Sequence, residues 1–431
     1  MRAREADAAL ACGESWGPLH GLPMTIKDSI EVAGMPTTAG APELRDHWPA
    51  THAPAAERAV AAGAIVFGKT NLPIYAGDAQ TYNAVHGTTR NPWNPERTPG
   101  GSSGGAAAAL AAGLTGFEIG SDIGGSIRNP AHYCGVYGLK PSYGVVPSRG
   151  HIPGPPGTLS ESDLGVLGPM GRSAADLTLG LHVLAGPDEW DARAYRMTMP
   201  PSRHERLGDF RVGVWMADPS CPVSRDVDAR LHAAVDAVAR SGASLDPHER
   251  PVDGAASFAI YLRLLYGVLA GSFPEQVLKS LDASATRLAD DDQSLPSNLV
   301  RGASQRHREW SRDHEARTRL RAAWHDYFRE HDVLLSPIMP TTAFPHDHSE
   351  IATRSIAVDG VTLPYFQMIF WAGLASVAYL PAVVAPVGLA ADGLPVGIQI
   401  VAPYLEDRTA IRFAELLAEE IGGFIAPPGF A

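Results

Sequence analysis

Apolar and polar positions alternate in short runs that divide the chain into strands and helices. Residues 2–12 predict the end of an amphipathic helix, with alanine and leucine on one face. Leu22-Pro-Met-Thr-Ile-Lys-Asp28 predicts a strand, residues 55–62 a helix, and Ala64 to Phe67 a buried strand. The run Ala106 to Ala112 is a strong helix former stopped by Gly113. Phe117-Glu-Ile-Gly120 predicts a strand, residues 174–185 a helix, Arg211 to Trp215 a strand, and Arg225 to Arg240 a helix. Between 254 and 330 the pattern turns helical, apolar from Phe258 to Ala270 and highly charged from Arg301 to Glu330. Val333 to Ser336 returns as a strand, and residues 382–402 hold two more, split by a turn at Ala391-Asp-Gly393. Asp407 to Ile421 closes the chain as a helix. Such alternation predicts an α/β fold with 254–330 as a helical elaboration.

The longest uncharged stretch, Gly360 to Ala391, invites a membrane reading. Pro364, Gln367, Pro381 and Pro386 interrupt it, and its cleanest apolar part, Met368 to Leu380, is too short to span a bilayer. It predicts a buried helix followed by a buried strand.

Composition narrows the function. The 431 residues are 45% hydrophobic and 19% charged, which supports a sizeable core and excludes a disordered chain. A net charge of −12 without any basic run argues against a nucleic-acid partner. Cys12, Cys134 and Cys221 form neither a disulfide framework nor a metal-ligand spacing. The N-terminal residues have no apolar signal-peptide core, so a cytoplasmic location is expected.

Two motifs mislead. Gly63-Ala-Ile-Val-Phe-Gly-Lys-Thr70 fits the phosphate-loop pattern, but its interior reads as a strand rather than a flexible nest. Gly100-Gly-Ser102-Ser-Gly104 fits the nucleophile-elbow pattern, but the proline-rich residues 91–99 cannot supply the required strand. His346-Asp-His348 offers two ligands in a proline-rich loop without a third, which does not make a metal site.

Two glycine loops remain: Thr98-Pro-Gly-Gly-Ser-Ser-Gly-Gly105 and Gly120-Ser-Asp-Ile-Gly-Gly-Ser-Ile-Arg128. In the second, glycines just before Ser126 let successive N–H groups point into one concavity, as in an oxyanion hole. On that loop alone, a nucleophile and an ordinary turn serine are equally good readings. A serine nucleophile needs a base, and no histidine stands in a context that singles it out. A buried lysine can serve if desolvation lowers its pKa, and Lys27 in its apolar strand is a candidate. Taken alone, Lys27 reads more readily as a strand-end surface lysine. Ser102 can bridge a lysine amine and a serine hydroxyl.

Pro99 to Ala108, Gly120 to Pro130 and Cys134 to Pro141 together resemble the amidase signature family. The likeness extends to Gly17–Asp28, Gly68–Asn71, Asn91–Pro95, Leu334–Pro337 and Gly393–Gln399, and omits about 190–330. It implies a single domain over 1–431, a mixed twisted sheet flanked by helices, with 254–330 as a variable substrate-pocket region. It also implies a Ser–Ser–Lys triad: nucleophile Ser126, bridging Ser102 after a cis peptide, and base Lys27. The oxyanion hole then falls on the N–H groups of Ile123, Gly124, Gly125 and Ser126. No metal or cofactor is implied.

The expected substrate is a small hydrophobic or aryl amide, with carbamates and esters open to the same chemistry. The apolar content of 258–274 and 364–380 suggests the pocket. Neither nucleic acid nor membrane is expected as a partner, and the chain is expected as a monomer or homodimer. A competing class is an amidotransferase component that acts on Glu-tRNA with partner subunits; another is a non-catalytic binding protein. Two departures from the family pattern stand out. The chain begins close to the lysine motif, which reads either as a truncation or as a short form, with an effect expected on oligomerisation or on an exposed apolar patch and none on the triad. Ile74 stands where many relatives carry glutamate, predicting a less polar pocket wall.

Overall fold

The computed structural model describes residues 2–152 and 155–430. Ten strands build one sheet: β1 (Pro23–Lys27), β2 (Ile65–Thr70), β3 (Glu118–Asp122), β4 (Tyr137–Lys140), β5 (Val166–Gly171), β6 (Arg211–Val214), β7 (Ser244–Asp246), β8 (Val333–Ser336), β9 (Ala382–Leu389) and β10 (Pro395–Val401). Their order is β2-β1-β3-β5-β4-β9-β10-β8-β6-β7. The pairs β2/β1, β1/β3, β8/β6 and β6/β7 are parallel and the others antiparallel, so the sheet is mixed.

Alternating side chains on these strands feed two separate cores, one on each face. Val383 and Ala385 of β9 and Leu335 of β8 enter one core, whereas Val384 and Leu334 enter the other. On the first face pack α2 (Pro54–Ala61), α5 (Ala174–Leu184), α6 (Arg225–Arg240) and α12 (Asp407–Ile421). On the second pack α3 (Gly104–Ala111), α4 (Arg128–Cys134), α7 (Gly254–Leu269) and α11 (Phe370–Val377). The N-terminal helix α1 (Arg2–Ala11) ties to the α2 region through Arg2, which donates to the carbonyls of Val60 and Ala64.

Residues 254–330 resolve into α7, α8 (Glu275–Ala285), α9 (Leu295–Ala303) and α10 (His307–Glu330). The segment Gly254–Ser272 is apolar and long enough to cross a membrane, yet half of it is buried inside the protein. The uncharged stretch 360–391 supplies an edge strand, α11 and β9, all but the first deeply buried.

Three sheet strands are not evident in the sequence. In β5, Gly168 and Pro169 argue against a central strand, yet Pro169 pairs with Ile119 in mid-sheet. The glycine is what the position requires, because a Cβ on Gly168 would stand 2.1 Å from Leu139 O and 2.7 Å from Pro141 Cδ. The other two, β4 and β7, have four and three residues, too few to show a period.

The parallel pairing of β1 with β3 brings their carboxyl ends, Lys27 and Asp122, to one edge of the sheet. That edge is where ligands sit in open α/β sheets.

Gly168→Ala is expected to cost at least about 1–3 kcal/mol, because backbone atoms leave its Cβ no room. Urea denaturation of the variant checks this, and an unchanged midpoint would contradict the packing described.

Candidate active site

The glycines of the first loop let backbone meet backbone. A Cβ on Gly105 would stand 2.4 Å from Asn71 O, and one on Gly101 would stand 2.6 Å from Asp78 O. The Gly101–Ser102 peptide is cis. Ser102 and Ser103 lead into α3, with Ser103 as its N-cap.

Both hydroxyls converge on Lys27, which is fully buried. Lys27 Nζ lies 2.7 Å from Ser102 Oγ, 2.9 Å from Ser103 Oγ and 2.9 Å from Ser121 Oγ. A neutral amine satisfies this cage fully, since it donates two hydrogens and accepts one. Desolvation lowers the Lys27 pKa from 10.5 to about 7, against the pull of Asp122 and Glu118. The positive end of α3 acts in the same direction. The adjacent Asp28 turns away, bonding to the Thr38 hydroxyl and lying 3.4 Å from Lys69 Nζ.

Asp122 folds the second loop around itself. Its carboxylate accepts from the N–H groups of Gly125 (2.9 Å), Ile127 (3.0 Å) and Arg128 (3.3 Å). The Arg128 guanidinium grips it at 3.0 Å through Nε and 2.8 Å through Nη2. Burial would raise the Asp122 pKa, but Arg128 overrides it and holds it at about 2. Arg128 is itself fixed by Gln399 at 2.7 Å, Ser376 at 2.9 Å and Ala372 O at 3.0 Å. Gly125 makes the turn with φ +99, a conformation glycine adopts freely.

Ser126 is partly exposed and, with Ser102, lines a cavity of about 260 Å³. A backbone bond of 3.0 Å from Ser103 N to Ser126 O locks the two loops together. Among the described residues no hydrogen bond joins the Ser102 and Ser126 side chains. Of the four N–H groups expected to form the oxyanion hole, that of Gly125 is taken by Asp122. Those of Ile123, Gly124 and Ser126 have no acceptor among the described residues.

The cavity wall corrects two further expectations. Val166, Val268 and Leu269 are among its apolar lining residues, and nothing from 364–380 contributes. That segment fills the second core instead. Ile74 is 48% exposed and lies outside the cavity, whereas Tyr75 and Ala76 line it. His151 also lines it, and burial plus the neighbouring Lys27 push its pKa down to about 3, so it is neutral. Neither lysine nor arginine is among the described residues on the wall.

Ser103, Ser121 and the Asp122–Arg128 pair carry no role that the sequence alone assigns. Ser121 and Asp122 stand inside the loop the motif singles out, but nothing in a linear pattern says which hydroxyl faces an amine. Elsewhere, Asp246, Glu249 and His331 converge at the β7 edge. Asp246 is already engaged there by His331 and by two backbone N–H groups.

The sequence model of the Amidase family matches residues 1–411. The glutamyl-tRNA(Gln) amidotransferase A-type subunit from Anaeromyxobacter sp. (strain K) is 33% identical, covering 99% of this chain and 88% of the relative. The solved structure of the same type of subunit from Thermotoga maritima superposes with a TM-score of 0.77 at 26% identity, covering 95% of this chain and 87% of that one. A second solved structure, described as an amidase, gives a TM-score of 0.76 at 28% identity, covering 98% and 89%.

Arg128→Met is expected to strand a buried carboxylate and cost about 3–5 kcal/mol near neutral pH. In the wild type, the Asp122 contribution is present above its unfolded value of 3.8 and lost as pH falls through about 2. In the variant, acidification to about pH 4 neutralises the stranded group and narrows the deficit. Urea titrations at the two pH values check this; equal stability of variant and wild type at neutral pH would contradict it.

Proposed function

Because the chain belongs to the amidase signature family, we propose that it is a serine amidohydrolase whose nucleophile is Ser126. The observation that carries this is the 2.7 Å contact between the buried Lys27, whose pKa desolvation lowers to about 7, and Ser102 at the base of a cavity that Ser126 also lines. Lys27 accepts the Ser102 proton as Ser102 takes that of Ser126. Ser126 Oγ then attacks the amide carbonyl, forming a C–O bond as the carbonyl π pair moves to oxygen. The N–H groups of Ile123, Gly124 and Ser126 hold that oxyanion. The relay returns the proton to the nitrogen, the C–N bond breaks, and water hydrolyses the acyl-enzyme by the same route reversed.

The substrate we assign is a small amide without a carboxylate, with carbamates and esters open to the same steps. A cavity of about 150 Å³ takes a benzene ring, so about 260 Å³ accommodates one ring and a short acyl group. Without lysine or arginine on the described wall, a substrate carboxylate has no cation to meet.

The second reading is an amidotransferase component, and the relatives of that name favour it. On this reading partner subunits contribute the tRNA contacts, since this chain carries a net charge of −12.

Incubation with a nitroanilide amide and the matching nitrophenyl carbamate separates the readings. The purified chain alone is expected to release coloured product, while Ser126→Ala and Lys27→Met stay folded and release none. Below about pH 7, kcat/KM falls about tenfold per pH unit as Lys27 takes up a proton. Substantial turnover by Ser126→Ala would sink the nucleophile assignment. Turnover appearing only with added partner subunits and glutamine would establish the second reading.

A further inference from the structure

Tyr261 lies on α7, 138 residues from the second serine loop, yet its hydroxyl donates to Ile123 O at 2.9 Å. It is completely buried. Burial also raises its pKa far above neutrality, so the hydroxyl stays a donor.

The bonded carbonyl belongs to the same peptide unit as the Gly124 N–H. That unit is planar and trans, so its C=O and N–H point in opposite directions. Anchoring the oxygen on Tyr261 therefore turns the Gly124 N–H away from α7. This N–H has no acceptor among the described residues.

The contact is tightly built. A Cβ on Gly124 would stand 3.2 Å from the Tyr261 hydroxyl, so only glycine leaves the hydroxyl its place without adjustment. Beneath the ring, a Cβ on Gly373 of α11 would stand 2.7 Å from Tyr261 Cδ1. The carbonyl of Ala372, one residue before, accepts from Arg128 of the same serine loop. Tyr261 is thus held between α11 and the loop, and it holds the loop at Ile123, the residue that follows Asp122.

We propose that Tyr261 is a positioning residue for the oxyanion cradle, fixing the Ile123–Gly124 peptide so that the Gly124 N–H faces the developing oxyanion. The proposal rests on the serine-hydrolase reading. It makes the helical elaboration part of the site through one hydrogen bond, beyond the few cavity-wall residues at the end of α7.

An alkyl fluorophosphonate carrying a fluorophore tests it without knowledge of the substrate. Ser126 Oγ attacks phosphorus, the P–F bond breaks, fluoride leaves with the electron pair, and the serine proton passes to Lys27 through Ser102. The phosphoryl oxygen occupies the oxyanion position. Wild type is expected to label and Ser126→Ala not to label. Tyr261→Phe, which removes one oxygen, should melt cooperatively and label at least tenfold more slowly, since losing a single oxyanion donor costs about 10²–10³ in rate. Its labelling pH midpoint should match wild type, because the Lys27 cage is untouched; a general loosening would admit water and move it. Gly373→Ala, which presses the Tyr261 ring without altering its hydroxyl, should also slow labelling and keeps the test alive if Tyr261→Phe fails to fold. Wild-type labelling rates in folded Tyr261→Phe, or a slowed rate with a displaced pH midpoint, would overturn the proposal. Absence of labelling in wild type would instead overturn the hydrolase reading and the proposal with it.

Discussion

The desolvation of Lys27 is the constraint on which the site depends. An amine taken out of water is poor at holding a proton, and although three hydroxyls surround this one, desolvation lowers its pKa from 10.5 to about 7. Protonating it in place is harder than in water by on the order of 5 kcal/mol. Two buried carboxyls, Asp122 and Glu118, pull in the other direction. The fold limits both. Asp122 is clasped by Arg128, and Glu118 is itself pushed up to about 8 by burial, which favours its neutral form over an anion beside the amine.

The same clasp shapes the second loop. Three N–H groups converge on the Asp122 carboxylate, so Gly125 must turn with positive φ and Ser126 is carried to the cavity. A buried ion pair contributes little net stability by itself, because desolvating two charges offsets their attraction. Here its value is geometric. Arg128 ties the loop to α11 and β10 through Ala372, Ser376 and Gln399, joining the serine loop to the second core. Tyr261 holds that loop at Ile123 from α7.

Much of this is legible in the sequence because glycine loops are local. Ser102 and Ser126 stand out from their glycine loops, whereas Lys27 taken alone reads as a surface lysine and is singled out only by the family resemblance; the structure sets Lys27 against Ser102 and places Ser102 and Ser126 on one cavity. The α/β pattern and the helices with strong periodicity, such as Arg225–Arg240, are legible for the same reason. What escapes depends on long-range contact. Nothing near Tyr261 announces that its hydroxyl reaches Ile123. The Gly125 N–H looks free in the sequence because its acceptor, three residues earlier, turns back only once the loop folds. Strand β5 escapes because a proline and two glycines outweigh its apolar residues locally, whereas its neighbours in the sheet impose the extended form. The apolar segment 364–380 reads as pocket, but hydrophobicity alone does not distinguish a wall from a core.

Four lysines occur in the chain, Lys27, Lys69, Lys140 and Lys279, which makes the central claim directly measurable. Carbon-13 labelling at lysine Cε gives four NMR signals, assigned by substituting each lysine in turn. The account predicts that the Lys27 signal titrates near pH 7 in the folded protein, well below the 10.5 of an ordinary lysine amine. A Lys27 signal that titrates near 10.5 would contradict the account, because the amine would then be charged at neutral pH and could not accept the Ser102 proton.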